Sequence, residues 1–230
     1  MSAQRFRIWF RKGERVRYIS HLDVLRYWER AFRRAELPLA YSQGFTPHPK
    51  LAFAGPLPLG FAAEAEVVDA TLDERVSLSD LRERLESQCS EDLGLVALRE
   101  VPVAAAPPQN LVTWADYRIC LPGASFNAVQ EAVGQFLRCE TFEWVDERRE
   151  KPRTYDMRTG VASLRAEPAE GGVALHGRFS ASQDFTVRPE QVVLALLGDV
   201  EPGLVVRECL VLDESSPARD AWRRRGRFEA

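Results

Sequence analysis

The sequence is short of cysteine pairs, nucleotide-binding glycine motifs and long apolar runs. Its four cysteines, Cys89, Cys120, Cys139 and Cys209, lie at least 19 residues apart. No C-x-x-C pair exists, which argues against an iron–sulfur cluster or a cysteine-based zinc site. Buried thiols in a reducing compartment are the expectation instead. Walker, G-x-G-x-x-G, G-x-S-x-G and H-E-x-x-H motifs are all missing. No run approaches the roughly 18–20 apolar residues of a membrane-spanning helix. The N-terminus, MSAQRFRIWFRK, has no apolar core of the signal-peptide kind. A soluble, cytoplasmic chain without membrane contact is expected, with no cofactor and no metal of its own.

What is present is unevenly charged. The formal net charge is only −3, yet residues 1–50 hold eleven Lys/Arg against four Asp/Glu. One basic end on an acidic remainder can offer an anion-binding face without a high isoelectric point. A second basic cluster closes the chain at Arg223, Arg224, Arg225 and Arg227.

Element order follows from periodicity. Arg5 to Lys12 alternates polar and apolar and predicts a strand. Ser20 followed by Asp23 predicts a helix start, and the helix runs to about Ala35 with Leu25, Trp28, Phe32 and Ala35 on one stripe. Extended segments follow at 39–42, 51–54 and 65–72, then a helix from Ser77 to about Gln88 and a strand from Leu93 to Val101. The second half repeats this grammar: a strand at 112–121, a helix at 125–138, a strand at 141–145, a hairpin at 161–179, a short helix from Pro189 and a strand at 204–212. The predicted fold class is α+β, as two tandem ferredoxin-like (βαββαβ) units. The boundaries are 1–102 for the first unit, 103–110 (VAAAPPQN) for a linker, 111–214 for the second unit and 215–230 for a basic tail.

Two segments carry candidate chemistry. The first joins the start of the first helix to the loop Tyr41–Gly60, which has three glycines and four prolines in twenty residues. Such a loop is kinked and stiff, which suits a preorganised surface. Its candidate binding residues are Tyr41, Gln43, Phe45, His48 and Lys50. Ser20 and His21 stand where helix amides favour an anion, and Arg26, Arg30, Arg33 and Arg34 make the helix itself basic. The second segment, Arg148–Arg158, interleaves cations with an aromatic ring, and its candidates are Arg153, Tyr155, Asp156 and Arg158. His176 reads as an ordinary strand residue.

Several of these runs are distinctive together: YISHLDVLR, ERAFRRAELPLAYSQGFTPHPK, and GPLPLG with E-A-E following. Over Tyr18–Asp69 the chain resembles the radical-SAM-linked bacterial family of unknown function. Tyr155-Asp156-Met157-Arg158 resembles a further element of that family, although Thr159 stands where its members usually carry proline. The resemblance implies an accessory role beside a B12-binding radical-SAM protein, in RNA- or translation-related chemistry.

The expected function is therefore a substrate-recognition or adaptor module for a radical-SAM enzyme, without catalysis of its own and with RNA as the expected ligand. Two alternatives stay open. One is a metal-independent endoribonuclease using His21 and His48 as acid and base. The other is an enzyme binding a small anion or cofactor at the Gly44–Gly60 loop.

Overall fold

The structure, a computed structural model, describes residues 3–146, 152–198 and 200–212. They form an α+β protein of four α-helices and ten strands, and the chain divides at Val112/Thr113 into two compact units. Among the described residues no helix is long and apolar enough to cross a membrane.

The first unit contains β1 (Gln4–Lys12), α1 (His21–Arg34), β2 (Leu51–Phe53), β3 (Ala62–Leu72), α2 (Leu78–Glu86) and β4 (Leu95–Val101). Its strands lie in the order β4-β1-β3-β2, and every neighbouring pair is antiparallel. The two-residue period of a strand sends Phe6, Ile8 and Phe10 to one face of β1. There they pack with Val24, Trp28, Ala31 and Phe32 of α1 and Leu81 and Leu85 of α2. Val24, rather than the expected Leu25, is the buried residue of the first turn. At 100° per residue, Val24 lies directly above Trp28 and Leu25 falls to the flank of the stripe.

The other face of β1 departs from the sequence reading. Its polar residues Arg5 and Arg7 are buried rather than solvated, together with Asp69 of β3. The register sets Arg7 opposite Asp69 on one side and Arg99 of β4 on the other. Arg5 Nε donates to Asp69 Oδ2 at 2.9 Å, while Arg7 Nε donates to Oδ1 at 2.7 Å and Arg7 Nη2 to Oδ2 at 2.9 Å. Two guanidiniums carry more donors than one carboxylate can accept. The surplus goes to segment 103–110: Arg5 Nη1 donates to Ala105 O at 2.7 Å, and Arg7 Nη2 to Ala106 O at 3.4 Å. Pro108 is buried and opens a short 3-10 helix, Pro108–Asn110. The segment expected to be a linker is thus part of the first unit, because its carbonyls complete the hydrogen bonding of buried arginines.

The second unit contains β5 (Val112–Pro122), α3 (Phe126–Arg138), β6 (Glu143–Asp146), β7 (Arg153–Asp156), β8 (Val161–Ala169), β9 (Gly172–Ser180), α4 (Pro189–Leu197) and β10 (Val205–Leu212). Its strands run in the order β10-β5-β9-β8. Cys120 N–H donates to Leu204 O and Thr113 Oγ1 to Val211 O, so β10 is antiparallel to β5. Ala115, Tyr117, Ile119 and Leu121 of β5 face a core that includes Val129, Val133 and Phe136 of α3. On the opposite face, Arg178 grips Asp116 through two bonds of 2.6 and 2.8 Å. The ribbon β6–β7 stands apart as its own two-stranded sheet. The sequence gives only its first strand, because four-residue segments are too short for periodicity to register. The expected basic tail, 215–230, lies outside the described residues.

Candidate functional site

The start of α1 is built by a full capping box. Ser20 Oγ accepts the Asp23 N–H at 3.2 Å, and the Asp23 carboxylate accepts the Ser20 N–H at 3.1 Å and the Ser20 hydroxyl at 2.6 Å. These bonds hold Asp23 below the usual carboxylate range. The helix end therefore already carries its own anion, which corrects the expectation that Ser20 and its neighbouring amides receive one from outside.

His21, the first helical residue, is half-buried. Its ring and that of Phe53 meet edge to face with centroids 4.9 Å apart, beside a recess of about 20 Å³, enough for one water-sized group. Phe10, Lys12, Val24, Phe53, Gly55 and Glu66 share the lining. Lys12 and Glu66 are both buried, and Lys12 Nζ donates to Arg17 O at 2.9 Å and Ile19 O at 3.1 Å. Sequence reasoning misses these two residues. Each looks like an ordinary polar strand position, and only the β1–β3 pairing brings them beside α1.

Burial, which disfavours the imidazolium, holds His21 below its ordinary value of 6.5; Glu66 opposes this and Lys12 adds to it. The unfolded chain then binds the proton more tightly than the folded one. Stability should be complete above pH 6.5 and decline as pH falls through the lowered folded value. His176 is lowered in the same direction, chiefly by burial, so His21→Gln should reduce the acid-side slope without abolishing it. Urea midpoints measured from pH 8 down to pH 5 test this. An unchanged slope in the variant removes His21 as a contributor.

His48 does not line the recess. It is exposed, on a small hairpin made by the bridge Tyr41–Pro49. The acid–base pair considered for His21 and His48 is not assembled around one cavity. Gln43, Phe45 and Lys50 are exposed on the same hairpin, and Tyr41 is half-buried. The Tyr41 hydroxyl reaches Glu29 Oε1 at 3.5 Å.

The arginines of α1 divide. Arg26, Arg30 and Arg33 are exposed and follow one another at helical spacing, away from the Trp28 face. Arg26 lies 3.8 Å from Asp23 and Arg33 lies 3.1 Å from Glu29, while Arg30 has no partner among the described residues. Arg34 instead ties α1 to the end of α2, donating to the Gln88 side chain at 3.2 Å and to Gln88 O at 2.9 Å.

In the second candidate segment, the described residues are mostly engaged in structure. Asp156 Oδ1 accepts the N–H groups of Phe142 and Arg158 at 2.8 and 3.0 Å. The Tyr155 hydroxyl bonds Gln191 at 3.0 Å. Arg158 donates to Val161 O at 2.9 Å and lies over the Phe136 ring. Arg153 is exposed at the start of β7. Arg149 and Lys151 lie outside the described residues. Over 153–158 the expected clamp of interleaved cations is therefore β7 and the start of the 3-10 turn Met157–Gly160, held to their own unit by these bonds.

A family model described as "Uncharacterized protein conserved in bacteria (DUF2344)" matches residues 5–189. The chain belongs to this family. No curated protein matches the sequence. Among solved structures it is similar, at 12% identity and a TM-score of 0.47, to one described as "Crystal Structure of a Cbf5-Nop10-Gar1 Complex". That match covers 89% of this chain and 48% of the other, so the chain spans about half its length. It is also similar, at 14% identity and a TM-score of 0.27, to an unknown protein from Galdieria sulphuraria, with 85% of this chain and 90% of that one covered.

Proposed function

We propose that this chain is a cytoplasmic recognition module that binds RNA and acts beside a B12-binding radical-SAM enzyme, without catalysis of its own. The observation that carries the RNA reading is the α1 stripe. Arg26, Arg30 and Arg33 are exposed on the side of the helix opposite its buried residues, and the exposed Lys50 belongs to the hairpin that Tyr41 links to the same helix. A rigid row of guanidiniums suits a phosphate backbone, because the helix sets their spacing before any ligand arrives. The resemblance over Tyr18–Asp69 supports the radical-SAM partner. In this reading both units are ferredoxin-like, a view supported by the first unit's order of strand, helix, two strands, helix, strand, and by the same order in the second unit once the separate ribbon β6–β7 is set aside as an insertion after α3.

The test is the salt dependence of binding to single-stranded RNA. Affinity should fall steeply as salt rises, with about 0.7 counterions released per neutralised phosphate. Arg30→Ala with Arg33→Ala should flatten the log–log slope by about 1.4 if each arginine meets one phosphate. Stability should hardly change, since alanine is a good helix former and exposed ion pairs contribute little. A folded double variant with the wild-type affinity and slope removes α1 from recognition. A wild-type protein that binds no RNA at low salt removes the RNA reading altogether.

A further inference from the structure

The hairpin after α1 is ordered at its base and bare at its tip. Ser42 N–H donates to His48 O at 2.8 Å, and His48 N–H donates back to Ser42 Oγ at 2.9 Å. Lys50 N–H donates to Ala40 O at 2.8 Å, and Thr71 N–H of β3 donates to Lys50 O at 3.1 Å. The base is thus fastened to the end of β3, with Pro47 and Pro49 restricting the returning strand. At the tip, Gly44 takes φ +140°, a backbone conformation that favours glycine. The next residue, Phe45, is fully exposed. A large ring held away from its own core on a stiff support is preorganised to meet something else.

The surroundings of the ring indicate what that is. On the same hairpin Gln43, Thr46, His48 and Lys50 are exposed and polar, with Pro47 exposed between them and no second large apolar side chain from 43 to 50 exposed beside Phe45. A plug for an apolar protein pocket is normally ringed by further apolar contacts that exclude water. A lone aromatic among cations and polar groups suits a nucleobase, which needs one π-face and leaves its phosphates to the cations. Glu29, which receives both the Tyr41 hydroxyl and Arg33, sets the hairpin base beside the α1 stripe. We infer that Phe45 stacks on an unpaired base of single-stranded RNA whose backbone runs along Arg33 and Arg30. This rests on the RNA reading above and adds to it the class of substrate: unpaired nucleotides rather than duplex.

The experiment compares the full chain and its Phe45→Ala and Phe45→Trp variants on a single-stranded RNA and on a duplex of the same sequence. Phe45→Ala should weaken single-strand binding on the order of tenfold, with the salt slope unchanged because no charge is removed. Duplex binding should stay as in wild type. Phe45→Trp should keep the single-strand affinity and show RNA-dependent quenching beyond that of the five native tryptophans in wild type. Phe45→Ala binding single strands as tightly as wild type overturns the inference while leaving the α1 reading in place. An equal loss on single strand and duplex also overturns it, since stacking on a paired base is blocked. If Phe45→Ala keeps its RNA affinity but loses capture of a protein partner, the ring belongs to a protein pocket and the inference fails. Absence of all RNA binding by wild type overturns it together with the reading on which it rests.

Discussion

Replacing Asp69 with alanine should lower the stability of the protein by about 3–5 kcal/mol, the range found when one partner of a buried ion pair is removed. Arg7 and Asp69 are each only 1% exposed and Arg5 is 8% exposed, so water cannot take over the lost contacts. The two guanidiniums would face each other without the carboxylate that lies between them, and Arg99 is close enough for its own value to be lowered by burial and by Arg7. Arg5 and Arg7 would then keep their bonds to the carbonyls of segment 103–110 but no carboxylate between them. Asp69→Asn should fare little better, because its amide keeps one acceptor but turns an N–H group toward the arginines. Removing one cation together with the anion is a different case. Arg7→Met with Asp69→Leu should cost less than Asp69→Ala alone, since an uncompensated charge rather than lost packing is the dominant penalty. Denaturant midpoints of the three variants check this. An Asp69→Ala protein within about 1 kcal/mol of wild type would mean that the cluster relaxes toward solvent and is not the structural centre described here.

Trp28→Ala should cost a similar amount, about 3–5 kcal/mol. The side chain is fully buried and meets the rings of Phe10 at 5.2 Å and Tyr27 at 5.8 Å, each edge to face. It is the largest of the fully buried side chains, on the face of α1 that meets the sheet, so its loss leaves a cavity. Trp28→Phe should be far milder. It keeps an aromatic ring there, and the indole N–H it removes is buried with no hydrogen-bond partner among the described residues. The same helix thus offers a control for the binding experiments. Trp28→Ala should lose RNA binding along with the folded first unit, whereas Arg30→Ala with Arg33→Ala should lose binding and remain folded. Loss of folding in both, followed by circular dichroism, would show that the arginines serve the fold.

The α1 example shows how far local information reaches. Ser20, Asp23, the spacing of Trp28 and Phe32, and the stop before Pro38 are all within a few residues of one another, and a helix is decided at that range. The two-residue alternation of Arg5–Lys12 likewise announces a strand with two different faces. By itself, then, the sequence determined most of the element order, the short strand β7 excepted, and the side of α1 that carries Trp28, Phe32 and Ala35.

Alternation cannot say whether the polar face of a strand is covered, because the cover comes from elsewhere in the chain. Arg5 is buried by Asp69 and Ala105, partners 64 and 100 residues away, and no local rule anticipates either. For the same reason 103–110 reads as a bare linker, and Lys12 and Glu66 read as surface residues until strand register sets them beside His21. The separation of His48 from that recess, and the engagement of Arg34, Tyr155, Asp156 and Arg158 in structural bonds, were also decided only by the tertiary structure. A side chain's chemistry is written in its residue type, but whether that chemistry is spent internally or left free depends on the partners that folding brings within hydrogen-bond distance.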